Sequence, residues 1–207
     1  MQIPVASNCK RRSAEIIAAA AQVFARQGYY GASTQDIADV LGMRQASLYY
    51  YFRSKDAALE AACTAGVEDY AERAQFILRG PGRASDKVAK LVFQHLAPMA
   101  DRLEFTLVFL RERRFLPAPA RKRIRRVERR YERIIERVIE QGVEAGEFRA
   151  DLDPRMATLA LLGLGNSAAV WYGREPGATL DRITANYVDL LVRAFRKGAA
   201  PTLRVTH

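Results

Sequence analysis

The chain has 207 residues, with 33 Lys or Arg against 23 Asp or Glu and a formal net charge of +10 at pH 7. Its length and its two cysteines exclude a disulfide scaffold and predict one large domain, or a small domain joined to a larger one, with a hydrophobic core. The positive charge favours a polyanion or an anionic ligand as partner, although solubility alone would also explain it.

The predicted helices begin near the N-terminus. Apolar residues at helical spacing indicate a first helix over residues 10–27, which Gly28 is expected to end. Ser33 or Thr34 is expected to cap a short second helix, and Gly42 is expected to end it. Two short helical segments on either side of a glycine are typical of a helix-turn-helix.

Further helices are predicted along the rest of the chain, separated by Gly-rich and Pro-rich breaks. They cover residues 45–51, 55–78, 85–97, 102–114, a long amphipathic segment after residue 120, 154–172 and 176–197. No strand or repeat is recognisable, so we expect an all-α fold of about nine helices. The expected domains are a three-helix helix-turn-helix domain over residues 1–54, a larger ligand-binding and dimerisation domain over 55–200, and a flexible tail over 201–207.

Three features of the sequence indicate where in the cell the protein is located. Cys9 and Cys63 are expected to be reduced thiols, as in cytosolic proteins. Residues 1–9 contain no recognisable signal peptide, and the longest apolar run, residues 156–165, is too short to span a bilayer. We therefore expect a cytoplasmic protein without membrane contact.

The third predicted helix carries a polar and aromatic face. On a helical wheel Leu48 and Tyr51 point inward, towards Ile37 and Leu41 of the second helix. The outward positions are Gln45, Ala46, Tyr49 and Tyr50, with Arg44 and Ser47 at the borders. An amide can bind adenine edges, a methyl group can contact thymine, and phenols can donate to phosphates. Lys55, at the start of the next helix, would add a phosphate contact.

The stretch "FARQGYYGASTQDIADVLGMRQASLYYYFRSKDAAL" resembles the DNA-binding region of the tetracycline-repressor (TetR) family, and the close match covers residues 14–59. The resemblance implies a homodimer whose two recognition helices enter successive major grooves of a near-palindromic operator. It implies DNA contacts from Thr34, Arg44, Gln45, Ala46, Ser47, Tyr49, Tyr50 and Lys55. Lys10, Arg11 and Arg12 would form a basic arm ahead of the first helix, or a solvated start of the chain.

A second resemblance lies in residues 146–195, where "GEFRADLDP" leads to "WY" and then "PG". This segment is similar to the C-terminal end of TetR-family regulators of fatty-acid and other acyl-CoA degradation. It implies a small-molecule effector, with acyl-CoA among the candidates. Positions on the helices suggest an effector pocket formed by Phe93, His95, Met99, Phe105, Phe109, Tyr131, Asn166, Trp171 and Tyr172, although most of these residues are also suited to a plain core.

Positive charge is concentrated in residues 111–137, which hold twelve Lys or Arg and four Glu. Such a segment could bind the phosphates of coenzyme A. Alternatively, Arg125, Arg129, Arg133 and Arg137 could each pair with the Glu three residues later, as on a solvated helix face. We favour ion pairing for residues 129–140 and leave residues 121–126 open.

Two alternatives concern the assembly and the function. Small residues on the last two helices predict a four-helix interface between two copies, and packing of these helices within one copy is the competing interpretation. A ligand-independent DNA-binding protein that recruits another protein through its C-terminal domain is the second functional hypothesis. No nucleophile–base pair, metal-ligand spacing or phosphate loop is recognisable, so we expect no enzyme activity, no cofactor and no metal.

Overall fold

The structure of the chain, a computed structural model, describes residues 5–198. This part of the chain is helical and contains no strand, which confirms the all-α prediction. The helices are α1 Val5–Gly31, α2 Thr34–Val40, α3 Gln45–Leu48, α4 Lys55–Ala65, α5 Tyr70–Arg79, α6 Ala84–Leu96, α7 Leu103–Glu112, α8 Ala118–Glu144, α9 Pro154–Trp171 and α10 Leu180–Phe195. Short 3-10 turns cover Ala97–Met99 and Arg113–Phe115. The predicted tail, 201–207, lies outside the described residues.

The helices form two compact units. The first unit combines Met1–Asp69 with Pro98–Glu128, and the second combines Tyr70–Ala97 with Arg129–His207. Compactness therefore groups α4, α7 and the first part of α8 with the N-terminal helices. The predicted boundary at residue 54, between a DNA-binding domain and an effector-binding domain, stays a prediction.

The first unit is built on α1, which packs against both α4 and α7. Its core contains Phe24 from α1, Ile37 from α2, Leu48 from α3 and Val108 from α7, each no more than 1% exposed. Leu48 thus points inward as the helical wheel predicts, and it anchors the short α3 in the core of the first unit.

The second unit is centred on α6, which packs against α5, α9 and α10. Leu91 of α6, Ile135 of α8, Leu161 of α9 and Phe195 of α10 are buried in its core. Such contiguous apolar burial is the main stabilising contribution in a helical unit of this kind.

The fourth helix, predicted over residues 55–78, is shorter in the structure. The chain leaves the helix after Ala65, and α5 begins only at Tyr70. A Cβ atom at Gly66 would lie 3.1 Å from the backbone oxygen of Phe105, so the break lies where α7 approaches the α4 backbone closely. Arg102 reinforces the junction by donating to the Ala65 carbonyl at 2.9 Å. The partner segment is far away in sequence, so helical periodicity could not indicate the break.

The N-terminal prediction also needs correction. Helix α1 begins at Val5, so Arg11 and Arg12 lie within it and not on an arm ahead of it. Both guanidinium groups lie near Glu15, at 3.7 and 2.9 Å. Gly28 kinks α1 with a φ of 69°, and helical structure continues to Gly31. Positive φ is easily reached by glycine and rarely by other residues.

Candidate nucleic-acid interface and ligand region

The start of α2 is fixed by a reciprocal cap. The Ser33 hydroxyl accepts from the Asp36 backbone N–H at 3.1 Å, and the Asp36 carboxylate accepts from the Ser33 backbone N–H at 2.7 Å. The hydrogen bond from the Ser33 side chain also lowers the pKa of Asp36. A capping box of this kind satisfies two N–H groups that a helix N-terminus leaves without partners.

The turn between α2 and α3 is set by Gly42, which has a φ of 60°. Around it, the Met43 backbone N–H donates to the Ala38 carbonyl at 3.0 Å. Helix α3 then spans only Gln45–Leu48 and continues as hydrogen-bonded turns to Tyr51, so it is shorter than predicted. The predicted helix-turn-helix is nevertheless present.

The outer side of α3 is open to solvent. Tyr49 is 48% exposed and Tyr50 is 87% exposed. Leu48, which points into the core, is 1% exposed. Arg44, Ala46 and Ser47 are also exposed, and Gln45 is half-buried. Five of the eight residues predicted to contact DNA therefore lie on one exposed surface, Arg44, Ala46, Ser47, Tyr49 and Tyr50. We call this surface the α3 face.

A short hydrogen-bond chain orders the side chains at one edge of the α3 face. The Gln45 amide nitrogen donates to the Thr34 hydroxyl at 2.7 Å, and that hydroxyl lies 3.5 Å from the Tyr49 hydroxyl. An amide NH₂ group has two hydrogens, so Gln45 keeps one donor and its oxygen for another partner. The chain links the first residue of α2 to both ends of α3.

Lys55 has partners that the sequence did not indicate. Its ammonium donates to the backbone carbonyls of Tyr29 at 2.9 Å and Ala32 at 3.0 Å, and it lies 4.4 Å from the centre of the Tyr29 ring. Two of its three N–H donors thus hold the connection between α1 and α2. A phosphate contact by the remaining donor stays a proposal.

Tyr29 gathers contacts from three other elements. Its backbone N–H donates to the Glu112 carboxylate of α7 at 2.8 Å, and its hydroxyl donates to the Asp56 carboxylate of α4. The hydrogen bond to Asp56 raises the pKa of Tyr29 to about 12. Its ring stacks on Phe115 at 5.5 Å. The backbone that leads into α2 is therefore held by α4 and α7, a function of Glu112 and Asp56 that sequence reasoning missed.

Three residues of the predicted effector pocket come together in the second unit. The His95 Nε2 atom lies 3.2 Å from the Asn166 side-chain oxygen, and its Nδ1 atom lies 3.4 Å from the Tyr131 hydroxyl. These partners assign a neutral imidazole that donates through Nε2 and accepts at Nδ1 from Tyr131. Tyr70, which was not predicted, completes the group with ring centroids 5.5 Å from His95 and 5.4 Å from Tyr131. We call these four residues the His95 cluster.

Burial keeps the His95 cluster uncharged. Desolvation lowers the pKa of His95 to about 4 and raises the pKa of Tyr131 well above its usual value. The cluster is also tightly packed, because a Cβ atom at Gly165 would lie 2.2 Å from the His95 ring. Glycine at this position lets α9 approach the imidazole.

The other six predicted pocket residues are not part of this cluster. Phe93 is 58% exposed, because Leu91, Val92 and His95 take the buried positions of α6 around it. Met99, Phe105 and Phe109 belong to the first unit, where Met99 and Phe109 are buried. Trp171 and Tyr172 are half-buried at the end of α9. The pocket candidates therefore do not come together as one group within either described unit, and a single pocket formed by them stays a prediction.

Trp171 lines a different, open cavity of about 320 Å³ between the ends of α9 and α10. The surrounding side chains include Glu175, Arg182, Asn186 and Tyr187. They combine aromatic surface with charged and amide groups, which suits a ligand with both apolar and polar parts. Apart from Trp171, none of these residues was predicted.

The basic segment pairs differently from the prediction. Among the four Arg–Glu pairs predicted at a spacing of three residues, only Arg137 and Glu140 are in contact, at 3.0 Å. Glu128 pairs with Arg113 at 2.9 Å, and Glu132 pairs with Arg155 at 2.7 Å. Arginines from outside α8 thus pair with Glu128 and Glu132, which pairing between neighbours on the helix would have used.

The described part of the chain contains neither membrane-spanning helices nor metal-binding groups of side chains. Between residues 5 and 198 no helix is both long and apolar enough to cross a membrane. The same residues contain no group of three or more His, Cys, Asp or Glu side chains that could hold a metal ion.

Family comparisons identify the chain. Residues 16–62 match the model for bacterial regulatory proteins of the tetR family, and residues 81–195 match the tetracyclin repressor-like C-terminal domain. Because the second match alone covers more than half of the chain, the chain belongs to the TetR family of transcriptional regulators and is not an enzyme.

Individual relatives agree with this assignment. The fatty acid metabolism regulator protein of Bacillus subtilis is 24% identical over 179 residues, which are 86% of this chain and 92% of that protein. A tetR-family regulatory protein from Rhodococcus RHA1 has a structure with 27% identity and a TM-score of 0.83, covering 90% of this chain and 98% of that one.

Two further structures contain ligands. AibR in complex with isovaleryl coenzyme A and operator DNA is 21% identical, with a TM-score of 0.79 over 87% of this chain and 98% of that one. FadR from Bacillus subtilis in complex with stearoyl-CoA is 23% identical, with a TM-score of 0.73 over 88% of this chain and 98% of that one. At these identities the likeness shows the shared fold.

Proposed function

We propose that this TetR-family regulator is a dimeric repressor that binds a near-palindromic operator through the α3 face and is released by a small hydrophobic or acyl-CoA-like effector. One observation carries the proposal: an amide, a methyl group and two phenols lie on or beside one exposed surface, anchored from behind by the buried Leu48. Exposed polar and aromatic groups on a short anchored helix are suited to the major groove.

The contacts are assigned by chemistry. Gln45, with one amide hydrogen and its oxygen still available, would read an adenine edge, and Ala46 would give weak apolar contact with a thymine methyl. Tyr49, Tyr50 and Arg44 would donate to phosphates, with Thr34 and Ser47 at the borders. Phosphate contacts position the protein and base contacts specify the sequence, so the two sets have different expected effects on specificity.

A second copy of the chain would pack on α9 and α10. Large apolar side chains are exposed there, including Met156 at 56%, Val170 at 47% and Leu190 at 56%. Small exposed residues lie beside them, among them Gly163, where a Cβ atom would meet no other atom within 4 Å. An apolar surface of this kind is expected to be covered by a partner, and a two-fold dimer is the commonest solution.

The effector class is suggested by the relatives. AibR forms a complex with isovaleryl coenzyme A, and FadR from Bacillus subtilis forms one with stearoyl-CoA. In this chain the open cavity beside Trp171 offers Arg182 for an anionic group and aromatic rings for an apolar one. In the DNA-bound dimer the two α3 faces would have the spacing that fits successive major grooves. Release would follow if the effector bound more tightly to a dimer conformation with a different spacing.

One observation favours the second candidate, a ligand-independent protein that recruits a partner through its C-terminal domain. Three of the predicted pocket residues, His95, Tyr131 and Asn166, belong to the packed His95 cluster of the second unit, in which Tyr131 and His95 are no more than 9% exposed. A filled core leaves no room for an acyl chain at that position.

A binding titration decides between the two candidates. The DNA upstream of the chain's own gene is labelled and titrated with protein by fluorescence anisotropy at fixed salt, with and without a panel of acyl-CoAs. We expect tight, sequence-specific binding that one acyl-CoA abolishes. Specific binding that no acyl-CoA alters would contradict this effector class and favour recruitment, while absence of specific binding to any duplex would contradict operator recognition itself.

A further inference from the structure

Several cations on the first part of α8 have no acidic partner among residues 5–198. Lys122, Arg125 and Arg126 are exposed and form no ion pair with the described residues, and Arg121 is exposed and bonded only to the Arg114 carbonyl, at 3.4 Å. We call Arg121, Lys122, Arg125 and Arg126 the α8 cationic face. Exposed cations that no carboxylate contacts remain available to an external anion.

The cationic face lies on the outer side of its helix. Ile124, on the inner side, is 3% exposed and belongs to the core of the first unit. Residues four apart on a helix lie on the same side, about 6 Å from each other along the axis. Arg121 with Arg125, and Lys122 with Arg126, therefore form two parallel rows on a convex surface. A convex row of cations suits an extended polyanion better than a small anion, which is usually enclosed.

The α8 cationic face belongs to the same compact unit as the helix-turn-helix, and side-chain contacts connect the two. Arg123, between the cations, donates both Nε and Nη2 to the Glu60 carboxylate of α4, at 2.7 and 2.9 Å. Two parallel bonds of this kind hold a guanidinium in one orientation. Since α4 begins at Lys55, shortly after α3, the pair ties the start of α8 to the helix that follows the recognition helix.

A second tie lies immediately before α8. The Phe115 ring is 5.5 Å from the Tyr29 ring and 4.9 Å from the Tyr30 ring, and the Arg114 guanidinium lies 4.6 Å from the Phe115 ring centre. Tyr30 is 79% exposed and lies three residues before the Ser33 cap of α2. The exposed surface around Arg114 and Tyr30 therefore adjoins the beginning of the helix-turn-helix.

From this placement we infer that the α8 cationic face is a second DNA-contacting surface, which binds phosphates outside the segment read by α3. The inference rests on the proposed operator binding for the specific complex, but the phosphate contact itself does not depend on base sequence. Phosphate contacts add affinity and salt dependence while leaving discrimination between bases unchanged.

The test compares two triple variants that each remove two arginines and one lysine. The first, Lys122→Gln/Arg125→Gln/Arg126→Gln, changes the cationic face. The matched control, Arg174→Gln/Arg196→Gln/Lys197→Gln, removes exposed cations of the second unit. The two variants have the same net charge, so a general loss of attraction would affect both equally.

Affinity is measured against salt concentration on two duplexes. One contains the upstream site with about ten extra base pairs, or one helical turn, on each side, and the other is a scrambled duplex of equal length. We expect the first variant to lose about 10- to 100-fold in affinity on both duplexes, with a salt slope shallower by about 2 to 3 per subunit, since each phosphate contact contributes about 0.9. The ratio of specific to non-specific affinity stays unchanged, and the control variant binds like the wild type.

Duplex length and coenzyme A give independent checks. Trimming the flanks from the upstream duplex weakens the wild type and leaves the first variant almost unaffected. An unchanged salt slope in the first variant, or an equal loss in the control variant, overturns the inference. Loss of binding to coenzyme A with unchanged DNA binding also overturns it, in favour of a ligand site. If the wild type shows no specific site, operator recognition fails, while the scrambled duplex still tests the cationic face.

Discussion

The α3 face and the His95 cluster both combine aromatic rings with polar groups, but they are opposite in exposure. Tyr50 on the α3 face is 87% exposed, whereas Tyr131 in the His95 cluster is 7% exposed. The Tyr131 hydroxyl is satisfied by His95, and the Tyr50 hydroxyl faces solvent. Buried polar groups need internal partners, so the same residue types stabilise one region and leave the other available for binding.

The difference gives the two regions separate expected phenotypes. A substitution on the α3 face should change DNA binding and leave the free energy of unfolding almost unaltered, because exposed side chains contribute little to stability. A substitution in the His95 cluster should change the free energy of unfolding first.

Tyr50→Glu places a carboxylate where phosphates are expected. We expect operator affinity to fall at least 100-fold from repulsion, while the unfolding free energy changes by less than about 0.5 kcal/mol. The matched variant Tyr50→Phe removes only the hydroxyl and should cost a few-fold. Anisotropy titrations and urea unfolding measure the two effects. Equal affinities for Tyr50→Glu and Tyr50→Phe would place Tyr50 outside the DNA interface.

Gly165→Ala forces a methyl group against the His95 ring, at the 2.2 Å separation given by the backbone. We expect a loss of about 1–3 kcal/mol in unfolding free energy, as for overpacked cores. Gly163→Ala on the same helix meets no atom of its own chain within 4 Å and should stabilise the monomer by up to about 1 kcal/mol. Urea unfolding measures both values. A neutral Gly165→Ala would mean that the His95 ring has room to move.

His95 makes stability depend on pH. Its pKa of about 4 in the folded chain lies below the ordinary histidine value of 6.5, so protons bind the unfolded chain more strongly. The stabilisation is complete above pH 6.5 and is lost as pH falls towards 4, at up to about 1.4 kcal/mol per pH unit. Urea unfolding between pH 7 and 5 should show this fall in the wild type and a shallower one in His95→Gln. Parallel profiles would contradict the burial of a neutral imidazole.

Arg137→Gln should have the smallest effect. Arg137 contacts Glu140 and Glu144, but its side chain is 49% exposed, so water screens both pairs. We expect an unfolding free energy close to that of the wild type and unchanged DNA affinity. A larger destabilisation, measured by the same urea titration, would mean that exposed charges on α8 contribute more than their exposure indicates.

Local signals explain what could be predicted. The Ser33 cap, the turn at Gly42 and the inward position of Leu48 each depend on residues within a few positions, and the structure contains all three. Sequence also placed Tyr49 and Tyr50 on the outer side of α3, where both are exposed. Helix periodicity and capping are short-range rules, so they apply before the tertiary structure is known.

Long-range contacts explain what could not be predicted. Lys55 binds carbonyls 23 and 26 residues earlier in the chain, and the break after Ala65 depends on Phe105. Glu132 takes Arg155 as its partner although Arg129 is three residues away. The His95 cluster likewise joins residues from α5, α6, α8 and α9. None of these partners has a sequence signal at helical spacing.

The most direct test of DNA recognition by the α3 face and the adjoining Gln45 is the affinity of Gln45→Ala/Tyr49→Ala for the upstream duplex and for its scrambled control, measured beside the wild type at one salt concentration. We predict that the wild type prefers the upstream duplex and that the double variant binds both duplexes equally, with an unchanged dimer in solution. The lost hydrogen bond from Gln45 to Thr34 should lower the unfolding free energy by no more than about 1.5 kcal/mol. A double variant that kept the wild-type preference would contradict base reading by this face.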